Sequence, residues 1–465
     1  MGEDLTGLTL ADAARKLASR EISSLELTEA YLTRTARLDG LLNAYITVAA
    51  DEARSAAAHL DAERAAGRVR GPLHGVPLSF KDNIDTAGLR TTAGSAVFAD
   101  RIPTEDAEVV RRLRQAGAVV LAKAGMHEFA LGPTSVSTGF GPVRNPWALD
   151  RSAGGSSGGS GAAVAAGLCA ASIGTDTGGS IRNPAAWCGV VGLKPTYGLA
   201  PIRGVIPVVA SLDHCGPIAR TVEDAAMVLQ QMVGHDALDV TSVADRGVDF
   251  VAATQAPVSH LAVGLPGDRF FSGVDAEIAD SLAEALRIIA GLTAGVSEMT
   301  LPATTGYQLI AERDGFHRDL LKTSGERYTA DGRARLASAS QDHSAYDYIQ
   351  SVRGLALLRR TIDTAFAAHQ LVVLPTMRVM PPSIADVLAA EEAGHPVANG
   401  DLTNGAPFNY FGGPAISVPC GFSRGGLPIG LTIAGPPFSE HHVLALAAAY
   451  ERAAGLGPAM VTPAA

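Results

Sequence analysis

The stretch SAGGSSGGSGAAVAAG, Ser152 to Gly167, decides how this chain is read. Glycine and serine without a single charge are linker composition, yet the segment runs straight into an apolar continuation, AAVAAGLCAASIG. A linker between separable domains would carry polar flanks. A phosphate loop fails on its lysine: Gly154 and Gly159 have the glycine spacing, but Ser160 stands where the cation belongs. A nucleophile elbow matches G-x-S-x-G from Gly154 to Gly158, but it should follow a buried strand, and NPWALDRSA makes a poor one. The remaining reading pairs this stretch with a second cluster, GTDTGGSIRNPAAWCG (Gly174 to Gly189), and with the lysine of GVPLSFKDNID. Glycines beside a serine let backbone approach a substrate closely. The consecutive N–H groups of Thr177, Gly178, Gly179 and Ser180 then offer a nest for a developing oxyanion.

Outside these clusters the composition sets bounds. A chain of 465 residues that is 47% hydrophobic and 18% charged buries a large core, which excludes global disorder. The formal charge of −10 lacks any basic stripe, so a nucleic-acid partner is not expected. The start, MGEDLTGLTLADAARK, has no basic segment followed by an apolar core, and no apolar run approaches the roughly 20 residues of a membrane span. Cys169, Cys188, Cys215 and Cys420 are scattered and form no C-x-x-C pair, so neither a metal site nor a disulfide framework is expected. These features point to a cytoplasmic protein with no membrane contact.

Thr9 with Asp12 and Ser23 with Glu26 have capping-box spacing, and Leu27, Ala30, Tyr31 and Leu38 follow at helical intervals, so residues 1–65 read as a helical region. A helix ending near Gln115 precedes a buried strand in AGAVVLAKAG. Further strands are expected in SHLAVGLP, HQLVVLPTM and PAISVPCGF, with Ile278, Leu282, Leu286 and Ile289 on one helical face and a last helix through HHVLALAAAYERAAG. This alternation predicts an α/β fold, a mixed central sheet covered by helices on both faces, in one large domain. Residues 306–370 are richer in charge and helix formers and form a candidate helical insertion in the pocket wall.

Taken together, GPLHGVPLSFKDNIDTAGLRTTAGS, GFGPVRNPWALDRSAGGSSGGSGAAVAAG, GTDTGGSIRNPAAWCGVVGLKPTYG and SLDHCGPIARTVEDAA resemble the amidase signature family of serine hydrolases, and GGPAISVPCG is a weaker echo. The resemblance covers about a third of the chain, within a catalytic core of residues 66–235. It implies a Ser-cisSer-Lys triad of Ser180, Ser156 and Lys81, with a cis peptide bond between Gly155 and Ser156. The two serines stand 24 residues apart, the interval the family pattern expects. By the same resemblance Asp176 and Arg182 fix the nucleophile loop, Ser157 hydrogen-bonds within it, and Asp213 matches a family position. Met126, His127 and Trp187 are candidate pocket residues. Ala124 and Gly125 depart from the family, which more often has Thr-Asn before the methionine.

An unassisted serine is a weak nucleophile. Lys81 serves as its base only when neutral, which requires burial to bring its pKa from about 10.4 toward roughly 7 to 8. The expectation is a serine hydrolase that cleaves a small amide, carbamate or ester through an acyl-enzyme, without metal or organic cofactor, as a monomer or homodimer. The alternatives are the glutaminase-type A subunit of a tRNA-dependent amidotransferase, from which AERDGFHRDLLK looks different, and a silent binding module of the same fold.

Overall fold

The computed structural model describes residues 4–304, 308–395, 397, 402–457 and 460–463. Among them, helix starts follow local chemistry. The Thr9 side chain accepts from the Asp12 N–H, and Ser23 and Glu26 close a reciprocal capping box ahead of Ser24–Leu42, which buries Leu27, Tyr31 and Leu38. The last helix, Glu440–Ala454, buries Val443, Leu444, Leu446, Ala447 and Tyr450 and stops at Gly455, whose φ of 63° a glycine adopts without cost.

Eleven strands form one mixed sheet flanked by these helices, in a single large domain. Their spatial order is Tyr45–Val48, Val119–Ala124, Pro77–Lys81, Ala171–Asp176, His214–Ala219, Val191–Lys194, Ala415–Phe422, Pro428–Ala434, Leu371–Pro375, Ala262–Pro266 and Gly295–Met299. Pro77–Lys81 and Ala262–Pro266 each run parallel to both neighbours, and the other pairings are antiparallel. The strands Pro77–Lys81, Ala171–Asp176 and His214–Ala219 are buried along their whole length. Lys81 and Asp176 are the last residues of adjacent parallel strands, so both emerge at the same carboxyl edge, where open α/β sheets assemble their sites. Residues 1–65 are not purely helical, because Tyr45–Val48 adds an edge strand paired with Val119–Ala124.

The opening glycine-serine stretch becomes the buried helix Gly158–Ala165 and the turn before it. Its glycines answer to packing. A Cβ on Gly159 would run into the Ala44 carbonyl and the backbone of Gly125, whose oxygen accepts the Gly159 N–H at 2.8 Å. Gly125 in turn faces Val143 and the Asn43 carbonyl, so the departure from Thr-Asn falls in a crowded interior position.

In the 306–370 segment, Gly306 and Tyr307 lie outside the described residues. The remainder contains the helices Ile310–Ser324, Ala330–Arg335 and Ala345–Thr361. It docks on residues 127–130: Phe129 stacks on Tyr328 with centroids 5.3 Å apart, and Thr329 donates to Glu128 at 2.6 Å.

Gly159→Ala is expected to lower unfolding free energy by at least about 1–3 kcal/mol, the usual cost of overpacking. Gly40→Ala, exposed in a helix interior with nothing within 4 Å of its Cβ, is expected to add about 0.5–1 kcal/mol. Denaturant titration of both checks this; a wild-type midpoint for Gly159→Ala would refute the packing argument.

Candidate active site

Lys81 is fully buried at the end of its strand. Its Nζ lies 2.7 Å from Ser156 Oγ and 2.7 Å from Thr175 Oγ1, with the Thr175 carbonyl at 3.4 Å. Among the described residues no carboxylate touches it. Burial therefore dominates and brings its pKa down to about 7, against the weaker opposing pull of Asp176 and Asp213. The peptide bond between Gly155 and Ser156 is cis. The Ser156 carbonyl accepts the His127 N–H at 3.1 Å and the Ser135 hydroxyl at 3.2 Å, while Ser157 donates its N–H to the Ser180 carbonyl and its hydroxyl to the Thr175 carbonyl, both at 3.2 Å. The lysine, the two serines and the strand end are thus tied into one backbone network.

The loop after Ala171–Asp176 is organised by a fully buried ion pair. Arg182 donates from Nε and Nη2 to the two Asp176 oxygens at 3.0 and 2.9 Å, and Asp176 also accepts the N–H groups of Gly179 (2.7 Å) and Ile181 (3.1 Å). Burial opposes ionisation of Asp176, but Arg182, Lys194 and Asn409 outweigh it and hold the carboxyl well below the usual range. Asn409 donates to the Asp176 carbonyl and side chain at 2.9 Å each and accepts from Arg182 at 2.8 Å. It sits in the helix Pro407–Phe411, and sequence reasoning missed it; the only nearby signal was the weak echo GGPAISVPCG.

Four N–H groups were expected to form the anion nest, and the geometry corrects one of them. The Gly179 N–H points to Asp176 and is spent there, leaving those of Thr177, Gly178 and Ser180 without a protein partner among the described residues. Gly179 itself has φ of 118°, and the Cα of Gly179 lies 2.8 Å from where a Cβ of Gly405 would stand. Both positions therefore need glycine. The Thr177 hydroxyl donates to Asp213 at 2.5 Å; burial raises the Asp213 pKa to about 6, partly offset by that bond and by the N–H groups of Val208 and Val209.

Ser180, 5% exposed, opens into a cleft of about 490 Å³ together with Thr177 and Gly178. Leu131, Val209, Leu212, Leu309 and Ile310 supply apolar walls, and Gln308, Arg313 and Tyr410 supply polar ones. The expected pocket residues Met126, His127 and Trp187 do not line this cleft. Met126 is fully buried. His127 is buried and bonded through Nε2 to Asp331 Oδ2 at 2.8 Å, and burial lowers its pKa. Trp187 packs with Met377 and Leu402 and donates its indole N–H to the Val379 carbonyl at 3.1 Å. All three are core: Met126 as a buried apolar side chain, and His127 and Trp187 with ring nitrogens bonded inside the protein. Cys188 is buried as well, and burial pushes its thiol well above the ordinary range.

Truncating one member of a buried ion pair leaves the other charge unpaired, so Arg182→Met should lower stability by about 3–5 kcal/mol. Adding Asp176→Asn to it should restore part of the loss. Denaturant titration of the single and double variants checks this, and a single variant as stable as the wild type would show that the clamp contributes nothing.

The Amidase family model matches residues 26–444. The A subunit of glutamyl-tRNA(Gln) amidotransferase from Moorella thermoacetica is 40% identical to this chain, over 97% of each protein. Among solved structures, the native peptide amidase of Stenotrophomonas maltophilia is 32% identical, with 98% of each chain covered and a TM-score of 0.86. The A subunit of the Thermotoga maritima glutamyl-tRNA(Gln) amidotransferase is 30% identical, with 97% of this chain and 96% of that chain covered and a TM-score of 0.74. These relatives correct two expectations. A free-standing hydrolase of small amides, carbamates or esters is overturned by full-length relatives that are amidotransferase subunits, and AERDGFHRDLLK, which looked unlike them, lies inside the matched length. The expected absence of a nucleic-acid partner, with a monomer or homodimer acting on a small molecule, is overturned by the same relatives, whose enzyme is named for a tRNA. The matched length, the mixed sheet and the arrangement of its carboxyl edge agree: the chain belongs to the amidase family.

Proposed function

We propose that this chain is the glutamine-hydrolysing component of a tRNA-dependent amidotransferase, its A subunit. The observation that carries the reading is 40% identity to one such protein over 97% of both chains. The buried Lys81 amine beside Ser156 supplies chemistry suited to it.

In this reading Ser180 Oγ attacks the side-chain carbonyl carbon of glutamine. The Ser180 proton passes to Ser156, and the Ser156 proton passes to the neutral Lys81 amine, of which roughly half is unprotonated near pH 7 if its pKa is about 7. The N–H groups of Thr177, Gly178 and Ser180 meet the oxyanion. Collapse breaks the carbon–nitrogen bond, and the proton returns along the relay to the departing nitrogen, giving ammonia. Water then attacks the glutamyl ester, the relay takes its proton and returns one to Ser180, and glutamate leaves. The ammonia is released for transfer to the glutamyl side-chain carboxyl carried on tRNA; a partner subunit would first activate that carboxyl with the γ-phosphate of ATP, so that phosphate leaves as the amide forms. Asp176, Arg182 and Ser157 hold the loop, and Gln308, Leu309, Ile310 and Arg313 from the charged helical segment form part of the pocket wall. Partner subunits would meet the tRNA, which accommodates a charge of −10 on this chain. The setting is cytoplasmic; among the described residues no helix is long and apolar enough to cross a membrane.

The complex reconstituted with its partner subunits is expected to convert Glu-tRNA(Gln) to Gln-tRNA(Gln) with glutamine as nitrogen donor and ATP to activate the glutamyl carboxyl. Ser180→Ala and Lys81→Ala should each cut the glutamine-dependent rate by at least about a hundredfold, and ammonium chloride should restore amidation in the Ser180→Ala complex. Absence of tRNA amidation by the wild-type complex would defeat the reading.

A further inference from the structure

Among the described residues, the cleft that holds Ser180 is lined by apolar side chains, hydroxyls and amides, and by a single formally charged one, Arg313. Its placement is built. Arg313 Nε and Nη2 donate to Asp314 Oδ1 at 2.8 and 2.6 Å, and Nη2 also reaches Ser338 Oγ at 2.9 Å. Asp314 is fully buried and is held from its other oxygen by the Ser338 hydroxyl and His343 Nε2, both at 2.8 Å. The guanidinium plane is therefore fixed from behind, on a side chain only 13% exposed. Its remaining nitrogen, Nη1, has no hydrogen-bond partner among the described residues. Nearby Glu312 does not compete for it, since its oxygens take Ser211 and Tyr348.

An anchored arginine with a free pair of N–H groups in a largely apolar cleft suits a carboxylate, because it holds the charge in place before binding and its hydrogen bonds are charge-assisted. Hydrolysis at Ser180 needs only the amide end of the substrate, so a cation elsewhere in the cleft bears on which amide is accepted. Resting on the proposed glutamine reading, we propose that Arg313 is a specificity-determining residue that receives the α-carboxylate of the glutamine whose side-chain amide meets Ser180. The contact is made with a group remote from the reacting carbon, so its loss should appear mainly in KM and less in kcat.

The test uses the complex with its partner subunits and compares L-glutamine with 4-aminobutanamide, which keeps the amide and the amine but lacks the carboxylate. The wild type should favour glutamine at least tenfold in kcat/KM. Arg313→Gln should reduce that preference by about 10- to 100-fold, chiefly through KM, as expected for a charge-assisted hydrogen bond. Arg313→Lys, which keeps the charge and loses the fork, should retain part of it. A preference unchanged in Arg313→Gln, or a wild type that hydrolyses both compounds equally well, would overturn the assignment while leaving glutaminase function standing. If Arg313→Gln fails to fold, the wild-type preference and Arg313→Lys decide the matter. A wild-type complex inert toward glutamine would overturn the functional reading and this assignment with it.

Discussion

Everything at the carboxyl edge of the sheet depends on an amine buried without a counter-charge. Lys81 is surrounded by hydroxyls and a carbonyl, and the two carboxylates that pull on it, Asp176 and Asp213, are committed elsewhere: one to Arg182, the other to Thr177 and two backbone N–H groups. Had Asp176 paired with Lys81, the ammonium form would be favoured and the amine would be a poor base. The Asp176–Arg182 pair thus has two effects. It shapes the loop that carries Ser180, and it leaves Lys81 to be neutralised by burial.

This arrangement explains why the glycine-serine stretch resembles a linker in composition and is nothing like one in structure. The helix that follows the stretch and the turn before it are packed so closely against neighbouring loops that side chains would not fit: Gly159 meets the backbone of Ala44 and Gly125 directly, and Gly155 faces the backbone of Pro133 and Thr134. Serines fill the same interior, where the hydroxyls of Ser152, Ser156 and Ser157 each find a carbonyl or an amine within reach. Small residues here serve close packing around a polar site rather than flexibility.

The sequence was most legible where periodicity and capping act locally. The helices after Thr9 and Ser23, the strand in AGAVVLAKAG and the last helix lie where their patterns put them. The central strands Ala171–Asp176, Val191–Lys194 and His214–Ala219 escaped notice because ASIGTD, VGLK and HCGPIA mix glycine, polar and apolar residues with no period of two. Lys81, Ser156 and Ser180 could be named because motif spacing survives in one dimension. Asn409 and Arg313 could not be singled out as residues, since each reaches the site from a distant part of the chain and only their surroundings, the echo GGPAISVPCG and the charged segment 306–370, gave a signal. Trp187 and Met126 were misplaced for the opposite reason: neighbours of a motif need not face the same cavity. Net charge misled on partners because it describes the surface of this chain alone, whereas the relatives it matches are named as one subunit of an enzyme named for a tRNA.

The claim that burial turns Lys81 into the base is tested most directly by the rate at which a fluorophosphonate probe labels Ser180 in the intact protein, measured from pH 5 to pH 10. Because the Lys81 pKa is lowered to about 7, the labelling rate should rise with pH below about 7 and level off above it, with mass spectrometry placing the adduct on Ser180. A rate that is flat through pH 7, or that climbs steadily to pH 10 as an ordinary lysine would dictate, would contradict the account.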